Sequence, residues 1–531
     1  MTYSLNQLCK RLDPYLDNKS AINQVSVTNC RNLTSSELSG LVSVLGDAGQ
    51  LGNIVRSMVG EDAIANIEAD GDIEAGLKVI QDVLCPALGL PAKRIPGQHV
   101  TVDKETLAQF FLTYTRLIAV TGPKQEYDQF LIFNRQLGIY LDAEVVIGRL
   151  IANLLNSVAG DVWSSALETE MIKLLRHHAK AVASTDLNQT HYVFDKQALN
   201  LATLTFEPFS PDHLATFKTR VEPSKVPTPN WDHFLETTFD DPMTRSFTSE
   251  WMGFQLEPRN VTDTVLFLFA PGGNGKSTYL SVIRRFVGRD NVSNQRLQDL
   301  GQDFGLQPLL NKVSLISDES SAQAFPVDRL KLITGDDEVT VAQKYKGATE
   351  AVLRVKATFA FNKLPTPENS AGFSRRLILL EFPHTFIGKP DKDLSKKLRD
   401  EAPGIAWQAI EALKSLRAND YCFTQSPQMI KFKSDYLSRF EPAILKYLKD
   451  AYEVAPGNRI ERSTIFPNFQ VWCSQSGVFG HYTPTSFWRL AKDYWQVAFG
   501  ESLELRKSNG TRMVVNIKKK GDAGGDSKDD D

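Results

Sequence analysis

The residues best suited to chemistry lie in Ala270-Pro271-Gly272-Gly273-Asn274-Gly275-Lys276-Ser277-Thr278. Thr264 to Phe269, before it, is apolar, of strand length and rich in β-branched and aromatic residues. Tyr279 to Val287, after it, carries apolar residues at helical spacing. Strand, glycine-rich loop and helix together make a P-loop, in which backbone N–H groups and the helix N-terminus face phosphate oxygens. Gly272, Gly273, Asn274 and Gly275 would cradle the phosphates with Thr278, Lys276 would reach the β- and γ-phosphates, and Ser277 would give a hydroxyl to Mg²⁺. The first glycine of the usual pattern is Ala270 here, which is tolerable where φ is negative.

A second set of residues turns nucleotide binding into hydrolysis. Lys312 to Ser317 reads as an apolar strand that ends in Asp318 and Glu319. Asp318 would hold Mg²⁺ and Glu319 would polarise the attacking water. Ala351 to Phe361 reads as a strand ending at Asn362, whose amide can orient that water and sense the γ-phosphate. Arg375 and Arg376 stand just before the strand Leu377 to Phe382, and one of them is a candidate arginine finger for nucleotide on a neighbouring subunit. Lys331 to Gly347 reads as a hairpin with a basic, aromatic tip. There Lys344 and Lys346 can meet phosphates and Tyr345 can stack on a base.

The elements that must position these groups are unevenly legible. Residues 1–100 show only pieces of amphipathic helix and an acidic turn, Glu68 to Asp72, too poor in ligands for a calcium loop. A helix capped within Thr101 to Glu105 and continuing through Leu107, Phe110, Phe111 and Tyr114, a hairpin from Tyr127 to Tyr140 and an apolar helix from Ala143 to Val158 capped by Asp142 follow. Another helix is expected from Ser164 to Ala183, with His177 and His178 as a solvated pair. Residues 206–230 hold five prolines and read as an extended connector, and Trp231 to Gly253 as one or two helices. Beyond the core, helices are expected over 391–417 and over 428–454 with a break at Pro442.

Near the C-terminus, a helix over Ser463 to Ser476 precedes a second from Ser486, with Thr483 as N-cap and Pro484 at its first position. A hairpin with an Asn-Gly turn follows over 503–517. Helix, helix and basic hairpin is a winged-helix pattern, in which Arg489, Lys492, Arg506, Lys507 and Arg512 can face DNA or the module can bind protein. Lys518 to Asp531 reads as a disordered acidic tail.

Composition sets the bounds. The chain has 531 residues, 42% hydrophobic and 23% charged, so core formation is not limiting. With a net charge of −3, polyanion binding must come from local basic clusters. The five cysteines are scattered without a Cys-x-x-Cys pair, against a disulfide framework or zinc ribbon and in keeping with a reducing compartment. No signal peptide and no membrane span is read, so a cytoplasmic location is expected, that of a bacterial host if a phage or plasmid encodes the chain.

Gly-Gly-Asn-Gly-Lys-Ser, Ser-Asp-Glu, Thr-Gly-Asp…Lys-Tyr-Lys, the strand ending at Asn362 and Phe-Ser-Arg-Arg-Leu…Glu-Phe-Pro resemble, in order and spacing, superfamily 3 helicases of the AAA+ class. The nearest resemblance is to the helicase half of phage and plasmid primase–helicases and of the poxvirus primase–helicase. It covers roughly residues 100–517 and implies an α/β P-loop AAA+ core over 231–420, preceded by a mainly helical domain over 101–205 and followed by the winged helix over 425–517. It also implies ATP and Mg²⁺ as cofactors, Asn362 as sensor, Lys344 and Lys346 as central-channel DNA contacts, and Arg376 as the favoured finger. The expected assembly is a ring, a hexamer of identical chains, moving 3′ to 5′ on single-stranded and forked DNA. Residues 1–100 lack the metal-binding aspartates and zinc motif of a primase, so a separate primase or polymerase partner is expected. Two further readings stand beside the replicative helicase. One is an ATP-controlled DNA-binding initiator or regulator without unwinding activity; the other is an ATPase acting on protein or packaging DNA.

Overall fold

The computed structural model describes residues 86, 88–90, 101–122, 127–158, 162–318, 320, 327–344, 347–366, 371–388, 391–438, 442–478, 482–508 and 510–521. The expectations for residues 1–85, including the acidic turn, therefore lie outside the described residues, as do Glu319, Tyr345 and Lys346.

The first module contains helix α1 (Lys104–Tyr114), strands β1 (Leu117–Thr121), β2 (Tyr127–Asn134) and β3 (Ile139–Asp142), helices α2 (Ala143–Val158) and α3 (Ser165–His178), and strand β4 (Lys180–Ala183). Asp103 caps α1 and Asp142 accepts from the backbone of Glu144 and Val145 at the start of α2. The strands form one sheet in the order β3-β2-β1-β4. This segment was expected to be mainly helical, and it also carries a four-stranded sheet. The expected helix to Ala183 stops at His178, because Lys180 to Ala183 pairs in parallel with β1 and buries Val182 there. Local helix propensity yields to a partner some sixty residues away in sequence.

Strands β5 (His191–Val193), β6 (Ala198–Asn200) and β7 (Thr205–Glu207) form a small antiparallel sheet. The proline-rich connector after it is fastened rather than free. Lys218 bridges to Val193, the Thr219 hydroxyl donates to the carbonyl of Arg285, and the Asn291 amide donates to the carbonyl of Lys218.

The core begins with α4 (Pro229–Thr238) and α5 (Pro242–Phe254), each opened by a proline at its first position. Strand β8 (Val265–Phe269), α6 (Lys276–Val287), β9 (Val292–Ser293), β10 (Ser314–Ser317) and α7 (Val327–Thr334) follow. Then come the hairpin β11 (Glu338–Val341) and β12 (Thr349–Val352), β13 (Lys356–Phe361), the short α8 (Ala371–Arg376) and β14 (Leu377–Glu381). Helices α9 (Leu394–Asp400), α10 (Ala402–Ala418) and α11 (Pro427–Ser438) complete the core. Five strands make a fully parallel sheet in the order β14-β8-β13-β10-β9. Both faces are covered, so β8, β13 and β14 are almost continuously buried. Leu266 and Leu268 face a layer with Trp231, Phe247 and Trp251, while Val265 and Phe267 face one with Leu315, Leu330 and Phe373.

Two contacts fix the helical layer. Trp251 Nε1 donates to Thr358 Oγ1 at 3.0 Å, and Gly253 lets α10 approach so closely that a Cβ there would lie 2.3 Å from the carbonyl of Ala409. Two expectations change here. Lys331 to Thr334 ends a helix instead of forming a hairpin arm, and the second arm is Thr349–Val352, separate from β13. Leu330 and Ile333, three apart, are both buried, which is the helical period.

The last module runs α12 (Ala443–Ala451), β15 (Tyr452–Glu461), α13 (Arg462–Gln475), α14 (Pro484–Phe499), β16 (Leu505–Ser508) and β17 (Thr511–Lys519). Thr483 and Ser486 form a reciprocal capping box at α14. Two expectations are corrected. Helix does not continue to Val454, since Tyr452 to Val454 pairs with β17, and Lys518 and Lys519 belong to that strand instead of to the tail. Lys518 also pairs with Glu453 at 3.1 Å.

The first residue of β13 is a buried lysine. Lys356 Nζ donates to the carbonyls of Glu257 and Arg354 and lies 5.8 Å from the centre of the Phe254 ring. Burial pushes its amine down from 10.5 to about 7, against the nearby Glu257 carboxylate. Glu257 is itself held by Arg417 and the Tyr421 hydroxyl. Two carbonyls satisfy both protons of a neutral amine. Between the two pKa values the unfolded chain holds the proton and the native chain does not, so this contribution to stability is present at alkaline pH and is lost as pH falls to 7. Relative to Lys356→Met, the parent should gain about 2 kcal/mol or more in urea unfolding between pH 6.5 and 9, from about 1.4 kcal/mol per pH unit. A difference that stays flat with pH would contradict a neutral Lys356.

Candidate functional site

The glycine-rich loop leaves β8 at its C-terminal end, between β14 and β13. Gly272, Gly273 and Gly275 have φ of +136°, +67° and +89°, values open to glycine. Gly275 is the N-cap residue of α6, so Lys276, Ser277 and Thr278 form its first turn. Lys276 is buried, and its Nζ donates to the carbonyl of Ala270 at 2.6 Å and to Asn362 Oδ1 at 3.1 Å. Both partners are neutral oxygens, and burial lowers the lysine pKa. A buried ammonium at a helix N-terminus, beside three glycines in positive φ, is suited to anionic oxygens. By this test the loop fits a nucleotide phosphate chain.

A cavity of about 890 Å³ opens over the loop. Lys276, Ser277, Thr278, Asp318 and Asn362 line one part of it. Asn362 directly follows β13, the strand next to β8, and this adjacency brings its amide to Lys276. Asp318 follows β10 on the far side of β13. Its carboxylate pairs with Arg284 of α6 at 2.8 Å, and Arg284 also donates to the carbonyl of Ile316. Binding of a cation at Asp318 must compete with that guanidinium.

The rest of the cavity is lined by groups that sequence reasoning missed. Phe234 and His233 come from α4, and Phe386 and Ile387 from the segment after β14. Ile387 is 78% exposed, and a Cβ at Gly273 would lie 2.5 Å from its Cγ1. These side chains offer an apolar surface of the kind that receives a ring. Asn274 also acts in a way its motif did not foretell. Its Oδ1 accepts from the backbone N–H of Gly272, and its Nδ2 donates to the carbonyls of Phe382 and His384. The backbone N–H of Phe386 donates to the carbonyl of Gly273. The loop is thereby tied to the segment that covers it.

The remaining expected site residues lie elsewhere. Arg375 and Arg376 stand before β14, at the end of the sheet opposite the loop. Arg376 binds Asp263 at 2.8 Å and the carbonyl of Gly372, with its side chain 11% exposed. Arg375 is 69% exposed and 3.7 Å from the same carboxylate. Lys344 is in the connection between β11 and β12, its backbone N–H donating to Gln307 Oε1. Of the expected residues, the structure gathers Lys276, Ser277, Thr278, Asp318 and Asn362 in one cavity and keeps Lys344, Arg375 and Arg376 out of it.

Fold and site together define an α/β protein with a glycine-rich loop at the C-terminal edge of a parallel sheet, where such sheets bind ligands. Two segments match known families. Residues 142–240 match the family described as "D5 N terminal like", and residues 268–376, from β8 to Arg376, match a family of unknown function, DUF5906. Among solved structures, the apo structure of the NrS-1 C-terminal region is 13% identical, with 75% of this chain and 96% of that one covered and a TM-score of 0.45. The A form of that region is 13% identical over 75% and 95% of the two chains, with a TM-score of 0.43. A comparison with curated proteins finds no match.

Proposed function

We propose that the chain is an ATP-dependent replicative DNA helicase of a phage, plasmid or other mobile element. The observation that carries this reading is the convergence of Lys276, Ser277, Asp318 and Asn362 on one cavity over the glycine loop. The D5 N-terminal-like match over 142–240 supports it, since it falls in the segment expected to precede a helicase core. So does the order of the sheet, with β13 between the loop strand and the acidic strand, as an AAA+ core of this kind needs to set Asn362 beside the phosphates.

In this reading ATP, when bound, would supply the phosphoanhydride whose hydrolysis drives movement, and Mg²⁺ would offset the charge on its phosphates. Lys276 and the loop N–H groups hold the phosphate chain, and Ser277 and Asp318 hold the cation. Glu319 takes a proton from water that Asn362 orients. Arg375 or Arg376 reaches nucleotide on the next chain of a ring after leaving Asp263. Lys344, with Tyr345 and Lys346 that follow it in sequence, contacts the DNA strand. The C-terminal helix–strand–helix–helix–strand–strand module is a winged helix.

The test is unwinding of 3′-tailed and 5′-tailed duplexes with ATP and Mg²⁺. Opening of the 3′-tailed substrate alone is expected. Hydrolysis with neither duplex opened would favour an ATP-controlled initiator or regulator.

A further inference from the structure

A second cleft, of about 970 Å³, lies away from the glycine loop. Five cationic side chains converge on it from three parts of the fold. Lys218 and Arg220 come from the connector, Arg285 and Arg289 from the end of α6 and the turn after it, and Arg399 from α9. Among the described residues, none of the four guanidinium groups has a carboxylate within 4.0 Å. Glu222 also lines the cleft, but its carboxylate accepts from the Lys196 N–H and the Gln197 amide. Asp195 and Asp290 are the other acids there. Burial, and then repulsion from Arg399 and Arg289, hold the Arg285 guanidinium below its usual pKa, with Asp400 opposing. Like charges are thus gathered on a chain whose net charge is −3. Exposed Leu137 adds an apolar group at the rim, with buried Ile139 on the wall beside it.

We propose that this cleft binds the sugar–phosphate backbone of a nucleic acid strand, at a site separate from the hairpin tip and from the nucleotide cavity. Guanidinium groups without carboxylate partners match phosphodiester oxygens, the volume exceeds what a single phosphate fills, and the apolar rim suits a sugar or base face. Arg285 in the last turn of α6 also complements the helix dipole, so a purely structural role is the competing account. The two accounts differ in the sign of a stability change. Removing structural cations lowers the melting temperature, whereas removing mutually repelling ones leaves it unchanged or raises it.

The experiment uses the full chain and a labelled oligothymidine strand, with anisotropy titrations over a range of salt. The variant is Arg220→Gln/Arg289→Gln/Arg399→Gln, three exposed positions, and Lys344→Gln is the comparison at the hairpin. The triple variant should bind at least about tenfold more weakly, its log affinity–log salt slope should fall by about 2 to 3, and its melting temperature should not drop. Unchanged affinity and slope would overturn the proposal, as would a loss of binding that merely tracks a lower melting temperature. A cleft that takes inorganic polyphosphate while the strand fails to compete would also overturn it, in favour of a free phosphate chain. Lys276→Ala, assayed without nucleotide, should bind the strand as the parent does, so failure of the helicase reading would leave this result standing.

Discussion

Lys276→Ala should hydrolyse ATP at least about a hundredfold more slowly than the parent and open neither tailed duplex. The lysine is the buried cation of the cavity, and its two present partners are the neutral oxygens of Ala270 and Asn362. Among the described residues its charge is therefore uncompensated, and burial lowers its pKa. A phosphate chain would supply the missing anion, and alanine removes the attraction in a place where water screens little. Folding should not suffer in proportion. The variant loses two hydrogen bonds but also a desolvated charge, so its melting temperature should stay within a few degrees of the parent's. Binding of a fluorescent ATP analogue and phosphate release, measured on variant and parent together, check both halves. A parent-like hydrolysis rate would remove the loop from the chemistry.

How much of this was legible depended on the range of the signal. The run Val265 to Phe269, the glycines and the helical spacing after Lys276 are local, and they appear in the fold as strand, loop and helix. The N-cap at Thr483 was equally local. The β1–β4 pairing was not, because Lys180 to Ala183 is too short to show a period and its partner is far away in sequence. The cover of the cavity was hidden for the same reason. Phe234 and Ile387 stand over 150 residues apart and look like ordinary core and loop residues until α4 and the segment after β14 meet over the loop. The expected hairpin over 331–347 failed at its first arm because Leu330 and Ile333 obey a helical spacing that the turn-rich Gly335 to Asp337 obscured.

Asn274→Ala should weaken nucleotide binding about tenfold or more and slow hydrolysis further, with little change in the fold of the core. Its side chain makes three hydrogen bonds, one to the loop itself and two to the exit of β14. Alanine leaves the carbonyls of Phe382 and His384 and the N–H of Gly272 without these partners. The loop then keeps its glycine conformation but loses its tie to the segment that carries Phe386 and Ile387. Phe386 still holds Gly273 by a backbone bond, so the segment is loosened and not released. Asn274→Asp makes the sharper test. Aspartate is nearly the same size and can still accept from Gly272, but it cannot donate to the two carbonyls and it sets a negative charge beside the phosphate position. If Asn274 acts through its donors, both variants should lose affinity, with aspartate the worse. If only the Gly272 contact matters, aspartate should bind nucleotide better than alanine. Titration of both variants with the same fluorescent nucleotide separates these outcomes, and parent-like affinity in both would show that the tie between loop and cover contributes nothing to binding.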